Sequence, residues 1–184
     1  HTMALMLSMS RNIPQARSAL KDQKTWAPKK FMGKELHGKT LGIVGLGRIG
    51  TVVAERAKGF HMKILVFDPF ISQEYAEKIG VEIVELHDLL KRSDYLTLHT
   101  PSLGDKPLLG ATEFNMVKPG LRIVNCARGT LIDDQALIEA IRSGKVAQAA
   151  LDVYTKEPLS LESPLLELDE IICTPHLGAS TEEA

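Results

Sequence analysis

The sequence lacks a long apolar run. No stretch approaches the roughly 20 residues that a membrane-spanning helix needs, and the Met- and Leu-rich start has no basic leader of the kind a signal peptide carries. The sequence also lacks an excess of positive or negative charge, since the formal net charge is −1 over 184 residues. A balanced chain offers no bulk attraction for nucleic acid or an anionic membrane. We therefore expect neither as a partner.

Cysteine is scarce. The two residues, Cys126 and Cys173, do not have the CxxC or Cys/His spacing that is typical of a metal site. Each lies within or beside an apolar run, which favours a buried free thiol and a reducing compartment. These features predict a cytoplasmic protein without a bound metal.

Short apolar runs alternate with helical patterns along most of the chain. The runs are continuously apolar, as expected of strands that are buried on both faces. The alternation predicts an α/β Rossmann fold, a doubly wound parallel sheet of about seven strands with helices on both faces. The predicted strands are Thr40–Val44, Lys63–Phe67, 81–84, Tyr95–Leu98, Leu121–Asn125, 147–153 and Ile171–Cys173.

The two ends of the chain lie outside this alternation. One helix is expected from Met3 through Ile13, followed by a Lys-rich connector that Trp26 anchors to the body. We assign residues 1–39 to the same domain as residues 40–184, which carry the Rossmann fold. Residues 180–184 have the pattern of a helix start. That pattern favours a piece of a longer protein over a chain with missing disordered tails.

A glycine-rich loop, Gly45-Leu46-Gly47-Arg48-Ile49-Gly50, directly follows the first predicted strand and opens a helix. In this setting the first glycine permits a tight turn, the second lets the backbone approach a pyrophosphate, and the third lets helix and strand pack closely. Amides at the helix start then face the anion. Asp68 follows Gly50 by 18 residues, where a carboxylate accepts from ribose hydroxyls and repels a 2′-phosphate. Loop and carboxylate together predict NAD as the cofactor.

Five segments together resemble the family of D-isomer-specific 2-hydroxyacid dehydrogenases. They stand in the family's order and at its spacing, and they cover most of the chain after residue 40. The segments are residues 42–50, 99–101, 124–129, 150–154 with Glu157-Pro158, and 174–179. The resemblance implies a nucleotide-binding domain that serves NAD-dependent oxidation of a small 2-hydroxy acid.

The resemblance also implies three catalytic side chains. His176 follows a strand end, and histidine is the natural acid and base near neutral pH. Glu157 would orient the imidazole and favour its protonated form. Arg128 would present a planar fork of donors to the substrate carboxylate and carbonyl oxygen.

Further cofactor contacts follow from the same likeness. Asp152 would hold the nicotinamide carboxamide and so select the ring face that meets the substrate. The expected cofactor-binding residues are Gly45, Gly47, Arg48, Ile49, Gly50, Asp68, Thr100, Cys126, Ala127, Arg128, Asp152, His176, Gly178 and Ala179.

Several functional readings stay open within the family. Within the family, residues 29–33 and 125–129 look most like the members that act on a phosphorylated hydroxy acid. A glyoxylate or hydroxypyruvate reductase would use the same catalytic residues. The family's C-terminal-binding corepressors keep the Arg, Glu and His but act through protein partners.

Because the substrate domain is absent, we expect this chain to bind NAD without efficient turnover. The parent enzyme is expected to be a homo-oligomer, and the apolar N-terminal helix either forms its interface or packs on its own sheet.

Overall fold

The computed structural model describes residues 1–102, 104 and 106–183, and within them seven strands form one sheet. The strands are β1 (Thr40–Val44), β2 (Lys63–Phe67), β3 (Glu82–Ile83), β4 (Tyr95–Leu98), β5 (Leu121–Asn125), β6 (Val146–Leu151) and β7 (Ile171–Cys173). All neighbouring pairs are parallel, in the order β3-β2-β1-β4-β5-β6-β7. The predicted Rossmann fold is confirmed.

Seven helices accompany the sheet in the described part of the chain. They are α1 (Thr2–Ser10), α2 (Ile13–Lys21), α3 (Arg48–Gly59), α4 (Gln73–Ile79), α5 (Leu86–Arg92), α6 (Ala111–Met116) and α7 (Asp134–Arg142). Two helices begin at a side-chain cap whose type is typical of helix starts. Ser72 accepts from the amide of Tyr75 at the start of α4, and Asp133, rather than Asp134, accepts from Ala136 at the start of α7. None of the described helices is both long and apolar enough to cross a membrane.

The sheet has a separate apolar core on each face. On one face, α1 and α3 contribute Met6 and Val53 to a cluster with Ile43 and Val66. On the other face, α5 and α7 pack against alternate side chains of the same strands. Burial on both faces explains why the strands are apolar throughout. It also fixes α1 on the sheet of its own chain, which was one of the two expectations for this helix.

The sheet order reverses direction between β1 and β4. In open α/β sheets, ligands bind outside the carboxyl ends of the strands at such a switch point. The loops that leave β1, β2, β4, β5, β6 and β7 all begin at this edge, because the strands are parallel. The fold therefore gathers the candidate residues of six loops at one edge.

The N-terminal segment differs from the prediction. The expected single helix through Ile13 is broken at Asn12, which is left-handed with φ of 51°. Pro14 explains the break, because its ring would clash with the carbonyl of Ser10 in a continuous helix. That carbonyl instead accepts from the amide of Lys34. A second helix, α2, which was not predicted, follows the break.

Smaller differences concern boundaries and one side chain. Strand β3 is shorter than predicted, and β6 starts and ends earlier. Trp26 does not anchor the connector, since 81% of its surface is exposed. Residues 181–183 form a bend and a turn rather than the start of a helix, because a single helical turn does not offset the cost of nucleating a helix. Ala184 lies outside the described residues.

Candidate active site

The three loop glycines differ in their surroundings. Gly45 has a φ of +91°, and a Cβ there would lie 2.6 Å from the carbonyl oxygen of His99. A Cβ at Gly50 would overlap the carbonyl oxygen of Gly45. A Cβ at Gly47 would meet nothing within 4 Å. Two of the glycines therefore allow close packing of backbone, and the third borders open space in front of the helix.

The start of α3 faces that open space. Its N-cap residue is Gly47, and no side chain of the described residues caps the helix. The first amides of α3 therefore keep their hydrogen-bonding capacity for a ligand. Arg48 and Ile49 are exposed, with Ile49 at 66%. The residues present fit a pyrophosphate group.

Asp68 has a structural role that the sequence did not reveal. Its Oδ2 accepts from the amide of Leu46 at 2.7 Å, and its Oδ1 accepts from the amide of Phe70 at 2.9 Å. The carboxylate therefore ties the end of β2 to the glycine loop. Its remaining lone pairs stay available for ribose hydroxyls, because each carboxylate oxygen can accept more than one bond.

The loops after β4 and β5 lie beside the glycine loop. A Cβ at Gly45 would lie 3.0 Å from the amide nitrogen of Thr100, so the two loops are in close contact. After β5, the side chain of Asn125 accepts from the amide of Ala127 at 3.0 Å and donates to the carbonyl of Arg128 at 2.9 Å. Sequence reasoning missed this role, although an Asn at a strand end is a known turn signal.

Arg128 lies on a loop that touches the loop after β6. Its side chain is exposed, with Nη1 donating to the carbonyl of Ala127 at 2.7 Å. The following residue, Gly129, is so close to Tyr154 that a Cβ would overlap the Tyr154 carbonyl group. Tyr154 in turn donates its amide to Glu157 Oε1 at 3.0 Å. Backbone contacts therefore bring the arginine loop next to the glutamate.

His176 and Glu157 form a direct pair. Nδ1 of His176 lies 2.7 Å from Oε2 of Glu157, and this hydrogen bond is the main cause that lowers the pKa of Glu157. The imidazole side chain is 55% exposed, and Nε2 has no partner among the described residues. His176 has a left-handed backbone with φ of 57°. The ring is thus fixed on one side and free on the other, as an acid or base requires.

Asp152 organises the backbone on both sides of His176. The carboxylate is fully buried, at 0% exposure. Its Oδ1 accepts from the Thr174 hydroxyl at 2.6 Å and from the Leu177 amide at 2.8 Å, and its Oδ2 accepts from the Gly178 amide at 2.7 Å. These bonds hold the loop that gives His176 its unusual backbone conformation.

Two further groups that are partly buried border the cofactor crevice. Burial lowers the pKa of His99 to about 4, so the ring is neutral near pH 7, with Nε2 3.0 Å from the Thr97 hydroxyl. Burial raises the pKa of Cys126 to about 11. Both cysteines are free, as predicted, but they are half-buried rather than buried. A thiol of this kind is not a reactive nucleophile in the unliganded protein.

A cavity of about 320 Å³ opens beside the His176–Glu157 pair. Its wall is mostly apolar and includes Leu159, Leu161 and Cys173. The structure thus brings Arg128, Glu157 and His176 to one edge, together with the glycine loop and Asp68. The predicted roles of Arg48, Ile49, Thr100, Cys126, Ala127, Gly178 and Ala179 toward a cofactor stay predictions.

Comparison with known proteins gives one family. A family model described as D-isomer specific 2-hydroxyacid dehydrogenase, NAD binding domain, matches residues 3–178. The chain is 52% identical over 185 residues to a D-3-phosphoglycerate dehydrogenase from Archaeoglobus fulgidus, and 52% identical over 185 residues to one from Methanocaldococcus jannaschii. Each match covers 100% of this chain and 35% of the relative, so the chain spans about a third of their length.

A solved structure shows the same architecture. The crystal structure of a glyoxylate reductase from Paecilomyes thermophila superimposes with a TM-score of 0.89 at 36% identity. The superposition covers 99% of this chain and 55% of that one. The likeness therefore extends over the whole sheet and the loops at its carboxyl edge.

Proposed function

The chain belongs to the D-isomer-specific 2-hydroxyacid dehydrogenases as their NAD-binding domain, and on that premise we propose that it is the catalytic NAD-binding domain of a D-3-phosphoglycerate dehydrogenase. The proposed reaction is oxidation of 3-phosphoglycerate to 3-phosphohydroxypyruvate, which serves serine biosynthesis. The observation that carries the catalytic part is the 2.7 Å bond between His176 and Glu157. The substrate rests on the 52% identity to relatives of that name.

The chain's own residues divide the proposed work. Bound NAD⁺ would accept the hydride from the substrate. The glycine loop and the start of α3 would hold the pyrophosphate, and Asp68 would accept from the ribose. Its negative charge disfavours a 2′-phosphate, which supports NAD over NADP.

The proposed proton transfer runs through His176. Nε2 would take the proton of the substrate hydroxyl, while Glu157 holds the ring through Nδ1 and stabilises the imidazolium that forms. Arg128 would bind the substrate carboxylate through its fork of donors. Asp152 would keep His176 in place through the loop it holds.

Turnover of the longer parent protein tests the substrate. With NAD⁺, we expect a higher kcat/KM for 3-phosphoglycerate than for glycolate. The glyoxylate reductase likeness, at 36% identity, is the reason to choose glycolate as the competing substrate. A preference for glycolate would replace this proposal with a glyoxylate or hydroxypyruvate reductase.

The domain division is also proposed. Residues 1–39 would belong to the cofactor domain, which the burial of Leu5, Met6 and Met9 in α1 supports. The substrate domain would come from other parts of the parent protein. The isolated chain would then bind NAD⁺ with little turnover, and efficient turnover of 3-phosphoglycerate by the 184-residue chain would contradict this division.

We assign the parent's homo-oligomer contact to the α2 region. Exposed apolar side chains cluster there, namely Leu20 at 51%, Trp26 at 81% and Met32 at 83%. The first 39 residues carry eight basic and two acidic side chains, whereas the whole chain has 22 and 23. A basic apolar surface on a chain that is otherwise acidic suits a second copy. Sedimentation of Trp26→Ser against the unchanged chain tests this contact, and an unchanged oligomer would contradict it.

The cytoplasmic location stays a prediction.

A further inference from the structure

Three side chains of different type meet where α1 approaches the ends of β5 and β6. The ligand atoms of His1, Cys126 and Asp152 all lie within 4.8 Å of one another. Nε2 of His1 is 3.2 Å from Oδ1 of Asp152 and 3.4 Å from the Thr174 hydroxyl. The three come from distant positions in the chain, so no local spacing in the sequence signals the cluster.

We propose that this cluster is a binding site for a zinc-type divalent cation. Imidazole, thiolate and carboxylate are the three ligand types that Zn²⁺ takes in proteins. A tetrahedral zinc ion needs ligand atoms about 3.3 to 3.8 Å apart, so the three side chains must close by only about 1 Å. A thiol and an imidazole together select against Mg²⁺ and Ca²⁺, which prefer oxygen ligands.

The surroundings of Asp152 support the site independently. The carboxylate is fully buried, yet no Lys or Arg side chain of the described residues pairs with it. A buried anion without a permanent cation is costly. Its hydrogen bonds from Thr174, Leu177 and Gly178 fix its orientation, as outer-shell donors do for carboxylates that bind metals.

Binding of the metal ion needs no further reagent. The Cys126 sulfur forms a bond to Zn²⁺ as its S–H bond breaks, and the proton passes to the buffer. His1 and Asp152 contribute lone pairs. With three protein ligands, a water molecule completes the tetrahedron.

The location gives the site a regulatory consequence, which rests on the proposed function. Cys126 and Asp152 are both proposed contacts of the cofactor. A metal ion bound to them would therefore occupy the nicotinamide end of the crevice, and Zn²⁺ and NAD⁺ would exclude each other. Zinc would act as an inhibitor that competes with the cofactor.

Direct metal binding tests the site without reference to activity. Calorimetric titration with Zn²⁺ should show one equivalent binding to the unchanged chain, and Co²⁺ should give a thiolate-to-metal charge-transfer absorption. Cys126→Ser should lower the affinity for Zn²⁺ at least tenfold and abolish the Co²⁺ absorption. Cys173→Ser is the matched control, because Cys173 is the other half-buried free thiol, and it should retain both signals. Circular dichroism confirms that each variant is folded.

Several results would overturn the site. Absence of the Co²⁺ absorption in the unchanged chain would do so even if a variant failed to fold. Equal Zn²⁺ affinity in Cys126→Ser would do so as well. His1→Ala should lower the affinity for Zn²⁺ as Cys126→Ser does, and an affinity that this variant leaves unchanged would exclude the imidazole as a ligand.

Competition is measured separately. Saturating Zn²⁺ should lower the apparent NAD⁺ affinity of the unchanged chain at least tenfold, with no such effect in Cys126→Ser. If Zn²⁺ binds at Cys126 but NAD⁺ does not bind at all, the proposed function fails and the metal site stands. If NAD⁺ binds and Zn²⁺ does not, only the metal site fails.

Discussion

The glycine loop after β1 and the loop around His176 are built in opposite ways. The glycine loop takes its shape from missing side chains, because a Cβ at Gly45 or Gly50 would collide with backbone. The loop around His176 takes its shape from a buried acceptor, Asp152, which binds one hydroxyl and two amides. One loop is defined by space and the other by hydrogen bonds.

The two loops suit different tasks: the glycine loop suits the binding of a ligand, and the loop around His176 suits the proposed chemistry. A phosphate-binding loop has to bring its amides close to an anion, so it needs small residues and a helix start. A histidine in the proposed catalytic role has to be held in one orientation, and His176 has a left-handed backbone. Small residues at a helix start meet the first need, with one bond from Leu46 to Asp68, whereas the second needs a network of fixed partners.

The largest expected effect concerns the histidine itself. In the proposed parent enzyme, His176→Gln should lower kcat by about 10² to 10⁴, the usual contribution of a general acid or base. His37→Gln is the control, since that exposed histidine lies before β1, away from the carboxyl edge, and should stay within about twofold. Steady-state kinetics decides, and a kcat that His176→Gln leaves intact would remove the histidine from the mechanism.

The hydrogen-bonded loop should be the more sensitive one to loss of its acceptor. Asp152→Ala leaves three donors without their partner, and we expect the free energy of unfolding to fall by about 2 to 4 kcal/mol. Asp169→Ala removes an exposed carboxylate and should change stability by less than about 0.5 kcal/mol. Urea unfolding measures both. Equal effects would show that Asp152 does not organise the loop.

Two alanine substitutions separate packing from ligand binding in the glycine loop. Gly50→Ala should cost about 1 to 3 kcal/mol of stability, because its Cβ overlaps the backbone of Gly45. Gly47→Ala should lower the free energy of unfolding by less than about 1 kcal/mol. It should lower the affinity for NAD⁺ at least tenfold, because its methyl group enters the space in front of α3. Thermal unfolding and calorimetry give the two numbers. The assignment fails if Gly47→Ala binds NAD⁺ normally.

The partly buried His99 behind the glycine loop predicts a pH dependence of stability. Its pKa is lowered from 6.5 to about 4 in the folded protein, so the unfolded chain binds the proton first. Stability is complete above pH 6.5 and falls as the pH drops toward 4. At about pH 5.5 the loss is about 1 kcal/mol. His99→Asn should lack this dependence in urea titrations, and parallel curves for both proteins would contradict it.

The smallest effect belongs to Glu157, whose side chain is 36% exposed. Its pKa is lowered in the folded protein, mainly by the bond to His176. The resulting stability is present above the ordinary carboxyl pKa of 4.5 and is lost as the pH falls through the lowered folded value. Glu157→Gln should flatten that acid limb slightly. An acid limb that the variant leaves unchanged would show that the pair does not contribute to stability.

The sequence predicted what depends on neighbouring residues. The doubly wound sheet follows from continuously apolar runs, and five of the seven strands match their predicted bounds. The caps at Ser72 and Asp133 follow from side chains that bind amides three residues on. The glycine loop follows from residue types alone, because its shape is set by sterics within a few residues.

The remaining features depend on contacts between distant residues. Asp152 finds its partners 22 to 26 residues along the chain, and no local pattern marks them. The apolar pattern of α1 continues through Ile13, so it does not show the break that Pro14 causes at Asn12. The likeness to a known family identified His176 and Glu157 as a pair, whereas their 2.7 Å contact needed the structure.

Calorimetric titration of the 184-residue chain with NAD⁺ and NADP⁺ tests the central claim, that the glycine loop and Asp68 form an NAD site. Asp68→Asn is the variant to compare, because its amide oxygen can still accept from Leu46. We predict that NAD⁺ binds, that NADP⁺ binds at least tenfold more weakly, and that Asp68→Asn narrows this difference. Absence of NAD⁺ binding, or a preference for NADP⁺, would contradict the claim.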